Sequence, residues 1–308
     1  MSEARLTKEE IKKRRIKDPF EDKVLYMVVT IILCLFTLAV LYPLIYVVSS
    51  SFSSGAAVST GRVLLWPVDF SLEGYKTVFA HRHIGSAYTN TIFYTVVGTI
   101  INLIVTVTCA YPLSRRDFPM RRGFSLLFLF TMFFGGGLIP TYILMSQIGF
   151  VNTRWAMLIP GALSVYNMIL VRTYLSTGIP VELLEASQID GCSDTGFFFK
   201  ILLPLSKPII AVITLYYAVG HWNAYFNAMI YLNEVKLYPL QLILRQILVA
   251  NQVSMEDLVD VEAMVAKQGL ADILKYALIV VATAPILCVY PFIQRYFIKG
   301  VMIGSVKG

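Results

Sequence analysis

Charge is scarce in this chain: of 308 residues, Asp, Glu, Lys and Arg make up 15% and hydrophobic residues 57%. A soluble domain carries about a quarter charged residues, so a large water-soluble core is excluded as the main feature. The long apolar runs hold fewer ionisable groups still. A secondary transporter or ion pump needs buried Asp, Glu, Lys, Arg or His as a coupling relay. Here Arg172, Asp272, Lys275 and Arg295 fall near run ends, within snorkelling reach of the interface, and only His221 lies deep in a run. A lone histidine in that setting is expected to be a hydrogen-bonded packing residue. The sequence has no G-x-x-x-x-G-K-[ST] phosphate cradle, and no Ser/His/Asp or Cys/His arrangement suggests a nucleophile. The chain is expected to be neither catalytic nor its own energy source, with no cofactor or metal of its own.

What it has is long apolar runs, near Leu25–Val48, Tyr88–Leu113, Phe124–Ile148, Trp155–Leu175, Pro208–Leu232 and Asp272–Phe297. Each can cross about 30 Å of hydrocarbon at about 1.5 Å per residue. The expected fold class is all-α: a polytopic membrane protein with six transmembrane helices. Gly135-Gly136-Gly137 with Pro140, and Pro285, mark kinks or close-packing points, which membrane helices tolerate where neighbours satisfy the backbone.

The net charge of +7 is unevenly placed, with eight of the 26 Lys and Arg residues in the first 23 positions. No aromatic residues alternate with them as a single-strand nucleic-acid binder requires; a basic tail at an anionic lipid surface fits better. With the N-terminus inside, 18 of the 26 fall on the cytoplasmic side and 8 outside, so both termini are expected in the cytoplasm. The expected organisation is a basic tail over 1–24 and a transmembrane domain over 25–308, with a cytoplasmic loop at 176–207 and an outer loop at 233–271. Cys34, Cys109 and Cys288 then lie in spans and Cys192 in a cytoplasmic loop, so no structural disulfide is expected, and no spacing suits zinc. A secretory signal is the alternative for the N-terminus, with Ser49–Ala57 as its cleavage region; the first run is longer than the usual h-region of about 7–15 residues.

The loop between spans four and five carries the most specific pattern. Pro180 suits a helix's first turn, and Glu182 and Glu185 its positive end. Gly191 suits a left-handed cap, and Asp194 suits the start of a second helix bearing Phe197, Phe198 and Phe199. Pro204 and Pro208 lead into span five. The product is a helix–turn–helix at the membrane surface.

The spacing Glu185-Ala186-Ser187, Gly191, Ile201, Leu203-Pro204 resembles the EAA signature of ABC importer permeases, with Ser in place of the usual third Ala. The likeness extends from about Leu41 onward. Trp222-Asn223-Ala224-Tyr225-Phe226 and the tail Gln294–Gly308 are similar to carbohydrate-importer permeases of the maltose type. Gly135–Tyr142 and Gly149–Thr153 look closer to permeases for polysaccharide-derived oligosaccharides. The resemblance implies an importer in a bacterial cytoplasmic membrane with a second permease subunit, two cytoplasmic ATPase subunits that bind ATP and Mg, and an extracellular solute-binding protein. Glu185, Ala186, Ser187, Asp190, Gly191 and Pro204 would form the coupling helix that docks on the ATPase.

Sugars are held by aromatic faces and amides. Tyr216, Trp222, Asn223, Tyr225, Phe226 and Asn227 are the candidate path residues, with Asn223 and Asn227 expected on one helical face. Membrane aromatics also serve as packing or interfacial anchors. Glu256, Asp257, Asp260 and Glu262 in the outer loop form either a solvated acidic face or a contact for the binding protein. A permease for amino acids, phosphate or metal, a secondary transporter and a membrane scaffold are the alternatives.

Overall fold

A computed structural model describes residues 19–253, 268–288 and 291. The basic residues up to Lys17, the acidic positions 256–262 and the tail Gln294–Gly308 lie outside the described residues. Among those described, every regular element is helical. The chain runs through α1 (Phe20–Ser51), α2 (Gly55–Ser59), α3 (Glu73–Ala80), α4 (Ile84–Ser114), α5 (Arg121–Phe133) and α6 (Leu138–Gln147). It continues through α7 (Trp155–Leu158), α8 (Val165–Gly178), α9 (Val181–Ile189), α10 (Asp194–Leu205) and α11 (Lys207–Trp222). The last are α12 (Phe226–Tyr231), α13 (Leu240–Val253) and α14 (Gln268–Cys288).

Three of these, α1, α4 and α14, are long and apolar enough to cross a membrane. Two bent pairs add to them: α5 with α6, and α10 with α11. α1 is exposed around its whole circumference for most of its length, an apolar surface for lipid or another subunit. Among the described residues it is fixed at its far end, where Ser49 Oγ donates to Leu65 O at 2.6 Å, Ser53 Oγ accepts from Val68 N, and Ser51 shares a hydrogen bond with Tyr75. The Ser49–Ser53 stretch, weighed above as part of a cleavage region, is thus packed against the segment 65–75.

α4 is the central post. Its buried positions Ala87, Thr91, Tyr94, Gly98, Asn102, Thr106 and Ala110 recur every three or four residues along one stripe. Most are small or singly polar, which lets membrane helices approach closely and bond across the gap. The closest approach is Gly98 against α11, where a Cβ would stand 2.4 Å from His221 Nε2. His221 is hydrogen-bonded to Asn102 Oδ1 at 2.6 Å, the packing role expected of it.

Three expected spans are not single straight helices. The third begins at Arg121 and breaks at Phe134–Gly137, where α5 and α6 meet at 109°. Three consecutive glycines carry no side chain to resist the turn, and Gly137 adopts φ +88°. The fourth is the short α7 followed by α8, separated at Ile159–Ser164 around Pro160-Gly161. Side chains take up the freed backbone groups, as a break inside a membrane requires. Asn102 Nδ2 donates to Gly161 O and Ala162 O, and Tyr217 OH accepts from Ser164 N at 3.1 Å. The fifth ends at Trp222 and resumes at Phe226, so Asn223 and Asn227 do not share a continuous helical face.

Candidate functional site

The loop over 176–207 folds as the expected hairpin. α9 starts after Pro180, and Gly191 turns the chain in the left-handed region at φ +74°. Ser193, rather than Asp194, caps α10: its hydroxyl accepts from Gly196 N at 3.1 Å, and Asp194 is the first helical residue. Pro204 has no N–H to give the carbonyl four residues back, and its ring crowds that carbonyl. The helix is widened to a π turn over Phe198–Leu202 just before it, a distortion frequent at functional sites. α10 then meets α11 at 77°, so the hairpin is joined directly to the start of α11.

On this hairpin Glu185, Ala186, Asp190 and Gly191 are exposed, as is Pro204. Ser187 is buried: its hydroxyl bonds Leu184 O, and its carbonyl accepts from Cys192 N. It holds the turn and leaves the outer surface to its neighbours. At the tip stands Ile189, 87% exposed. Single exposed apolar residues are common on protein surfaces, so it is the place of Ile189 at the tip of the hairpin, more than its exposure, that makes it a candidate partner contact. Sequence reasoning passed it over; the signal was an apolar residue immediately before the polar turn Asp190-Gly191.

Arg115, just past α4, ties the hairpin to the central post. Its Nε and Nη2 grip Asp117 at 2.9 and 2.6 Å, its Nη1 reaches Asp194 Oδ1 at 2.5 Å, and it donates to Tyr111 OH at 3.1 Å. These bonds, led by the one to Asp117, raise the guanidinium pKa above its ordinary value, and Arg115 in turn lowers that of Asp117. α8 joins the same end: Arg172 Nε donates to Leu113 O and Ser176 Oγ to Ser114 O, satisfying carbonyls that a helix terminus leaves open. The Arg115–Asp194 link spans 79 positions, and no local pattern announced it.

The candidate path residues divide. Tyr216, Gly220 and Asn223 form an exposed stripe on α11, which leads to exposed Tyr225, Phe226 and Asn227. Trp222 is not part of it. It is 8% exposed, and its indole N–H donates to Ala282 O at 2.9 Å, locking α11 to α14. The cleft of about 400 Å³ beside Trp222 is lined by Tyr88, Ile92, Val96, Leu215, Val219 and Ile286, and it is too apolar to read sugar hydroxyls. The N-terminal half of α4 fixes the segment after α12. Asn90 Nδ2 donates to Lys236 O and Tyr238 O, Tyr94 OH donates to Leu237 O, and Thr91 Oγ1 accepts from Leu240 N at 2.7 Å.

Apolar helices broken where side chains satisfy the backbone, together with an exposed hairpin tethered to the central helix, suit a membrane permease subunit. The family model for the inner membrane component of binding-protein-dependent transport systems matches residues 15–303, and the chain belongs to that family. It is a transport subunit of an ABC importer, not an enzyme, and it functions with an ATPase and a binding protein. It is 40% identical over 276 residues to the polygalacturonan/rhamnogalacturonan transport system permease protein YtcP of Bacillus subtilis, covering 90% of this chain and 96% of that one. It is 27% identical to the arabinooligosaccharides transport system permease protein AraQ of Halalkalibacterium halodurans, covering 87% and 91% respectively. A crystal structure of a bacterial ABC transporter involved in the import of the acidic polysaccharide alginate contains a similar chain. The TM-score is 0.79 at 37% identity, covering 92% of this chain and 99% of that one.

Proposed function

We propose that this chain is one of two different permease subunits of an importer that carries an oligosaccharide from an extracellular binding protein into the cytoplasm, with both of its termini cytoplasmic. Two cytoplasmic ATPase subunits would bind ATP and Mg and receive the α9–α10 hairpin. The observation that carries this reading is the tip itself, where a nearly naked Ile189 stands between Glu185 and the Gly191 turn. An apolar knob flanked by charges is suited to a cleft on a partner. Glu185 would supply a polar contact, Asp190 an anchor beside the turn, and Gly191 the turn. Closure of the ATPases on ATP would push the hairpin. The bend at Ser206 would pass the push to α11, and Arg115 would pass it to α4, rocking the path between inward and outward openings. Carbohydrate as the cargo is supported by the relatives named for oligosaccharide and polysaccharide import, and by the exposed Tyr216–Asn223 stripe with Tyr225, Phe226 and Asn227 beside it.

The complete complex reconstituted in proteoliposomes tests the reading. ATP-dependent uptake should occur with an oligosaccharide delivered by its binding protein. Uptake restricted to amino acids, phosphate or metal ions, or uptake that proceeds without the ATPase, would overturn it.

A further inference from the structure

The exposed stripe on α11 ends at a place with unusual chemistry. α11 stops at Trp222, and the chain crosses Asn223-Ala224-Tyr225 before α12 begins. Beside this break lies one side of α13, with half-buried Gln241 and exposed Arg245 four residues apart on it. α13 is held rigidly: Leu240, Ile243, Leu244 and Ile247 are buried in a cluster with Val78, Ile84 and Ala87, and Thr91 bonds its first amide. Arg245 is therefore exposed on a fixed support. Its guanidinium stands 5.3 Å from the centre of the Tyr225 ring and touches Met229 Sδ. Gln241 Nε2 donates to Asn223 Oδ1 at 3.4 Å, a long bond that a ligand hydroxyl can replace.

Several of the other outer cations have partners of a different kind. Arg62 pairs with Asp69, Lys236 with Glu234 and Lys275 with Asp272. Arg154 stands over Phe93 and donates to Asn90 Oδ1, part of the scaffold that fixes the outer loop. Among the described residues no carboxylate forms an ion pair with Arg245. With Nη1 on Met229 Sδ, the Nε–Nη2 edge of the guanidinium makes no hydrogen bond among the described residues, and that edge matches a carboxylate with two parallel bonds. A reader of neutral sugars needs the ring and the amides but not this cation.

We propose that Arg245, supported by Tyr225 and flanked by Asn223 and Gln241, reads the carboxylate of the transported sugar, so that the substrate class is a uronate-bearing oligosaccharide. Tyr225 and Phe226 offer faces to the sugar's C–H surface, Asn223 and Gln241 meet hydroxyls, and Arg245 takes the acid group. This rests on the reading of the chain as an oligosaccharide permease.

The test uses the complete transporter with its binding protein in proteoliposomes and two probes, the trimer of galacturonic acid and its methyl ester. Arg245→Gln is expected to lower uptake of the acid at least about tenfold more than uptake of the ester, the size of a lost charge-assisted hydrogen bond. Arg245→Lys should recover part of the loss. Gln241→Glu, which sets an anion one helical turn from Arg245, should reproduce the acid-selective defect. If the ester is not delivered at all, acid uptake lost in Arg245→Gln and partly regained in Arg245→Lys supports the subsite, and unchanged acid uptake overturns it. Equal loss for both probes overturns it, as does a raised half-saturating concentration of binding protein with either ligand, which would assign Arg245 to docking. A wild-type transporter that accepts neutral trimers and refuses the acid also overturns it. A wild type that moves no oligosaccharide of any kind sinks the carbohydrate reading itself, an outcome distinct from all of these.

Discussion

Replacing Arg115 with alanine is expected to loosen the hairpin from the central helix while leaving the exposed residues of its tip unchanged. The Arg115 side chain is 14% exposed, whereas Asp117 and Asp194 are 64% and 68% exposed. A shielded charge-assisted hydrogen bond contributes about 1.5–3 kcal/mol, and an exposed ion pair about 0.2–1 kcal/mol. With one end shielded and the other wet, the Arg115–Asp194 link falls between these, at about 1 kcal/mol or roughly fivefold in a local equilibrium. Losing Asp117 and Tyr111 as well brings the cost of Arg115→Ala to about 2–3 kcal/mol. A thermal double-mutant cycle over Arg115→Ala, Asp194→Ala and the pair should return a coupling of about 1 kcal/mol. In proteoliposomes both single variants should hydrolyse more ATP per sugar moved, because the push on the hairpin is no longer passed fully to α4. Arg115→Lys should not rescue, since an ammonium cannot bridge Asp117 and Asp194 with one rigid fork. Additive single effects combined with an unchanged ratio of transport to hydrolysis would refute the reasoning.

Gly98→Ala places a methyl within 2.4 Å of the His221 ring and should lower the melting temperature through an overpacking cost of about 1–3 kcal/mol. Gly123→Ala, with nothing within 4 Å of the added carbon, should not, and equal behaviour of the two would refute the close approach of α4 and α11. Asn152 accepts from Asn233 N and Glu234 N at 3.0 Å each and donates to Glu234 Oε1. Asn152→Ala should therefore speed hydrogen exchange at amides 233 and 234, and unchanged protection would count against this latch. Asp117 has its pKa lowered by the hydrogen bonds from Arg115, so its contribution is complete above the ordinary carboxylate pKa and fades as pH falls through the folded value. Wild-type melting temperature should drop more than that of Asp117→Asn below about pH 4. Parallel profiles would show that the bond carries no stability.

The hairpin was legible in the sequence because its signals are local. Pro180, Gly191 and Pro204 each impose a backbone outcome, and the structure has a helix start, a left-handed turn and a widened helix at or next to them. The interruptions of the apolar runs were legible only in part. Gly135-Gly136-Gly137 marked a weak point, but nothing in composition gives a bend of 109°. The gap after Trp222 has no proline or glycine in it, so Asn223 and Asn227 read as helical neighbours. Trp222 read as a path residue because its type suits sugars, whereas Ala282 O, 60 positions away, claims its N–H. Arg115 and Asp194 were invisible as a pair for the same reason: long-range hydrogen bonds leave no periodicity.

The claim that energy enters this subunit through the α9–α10 tip is tested most directly by a photo-crosslinking residue at position 189 in the assembled complex. It should crosslink to the ATPase subunit, and more strongly in the ATP-bound closed state, while the same probe at position 82, at the opposite end of α4, should not. A crosslink from 189 to the binding protein, or none to the ATPase in any nucleotide state, would contradict it.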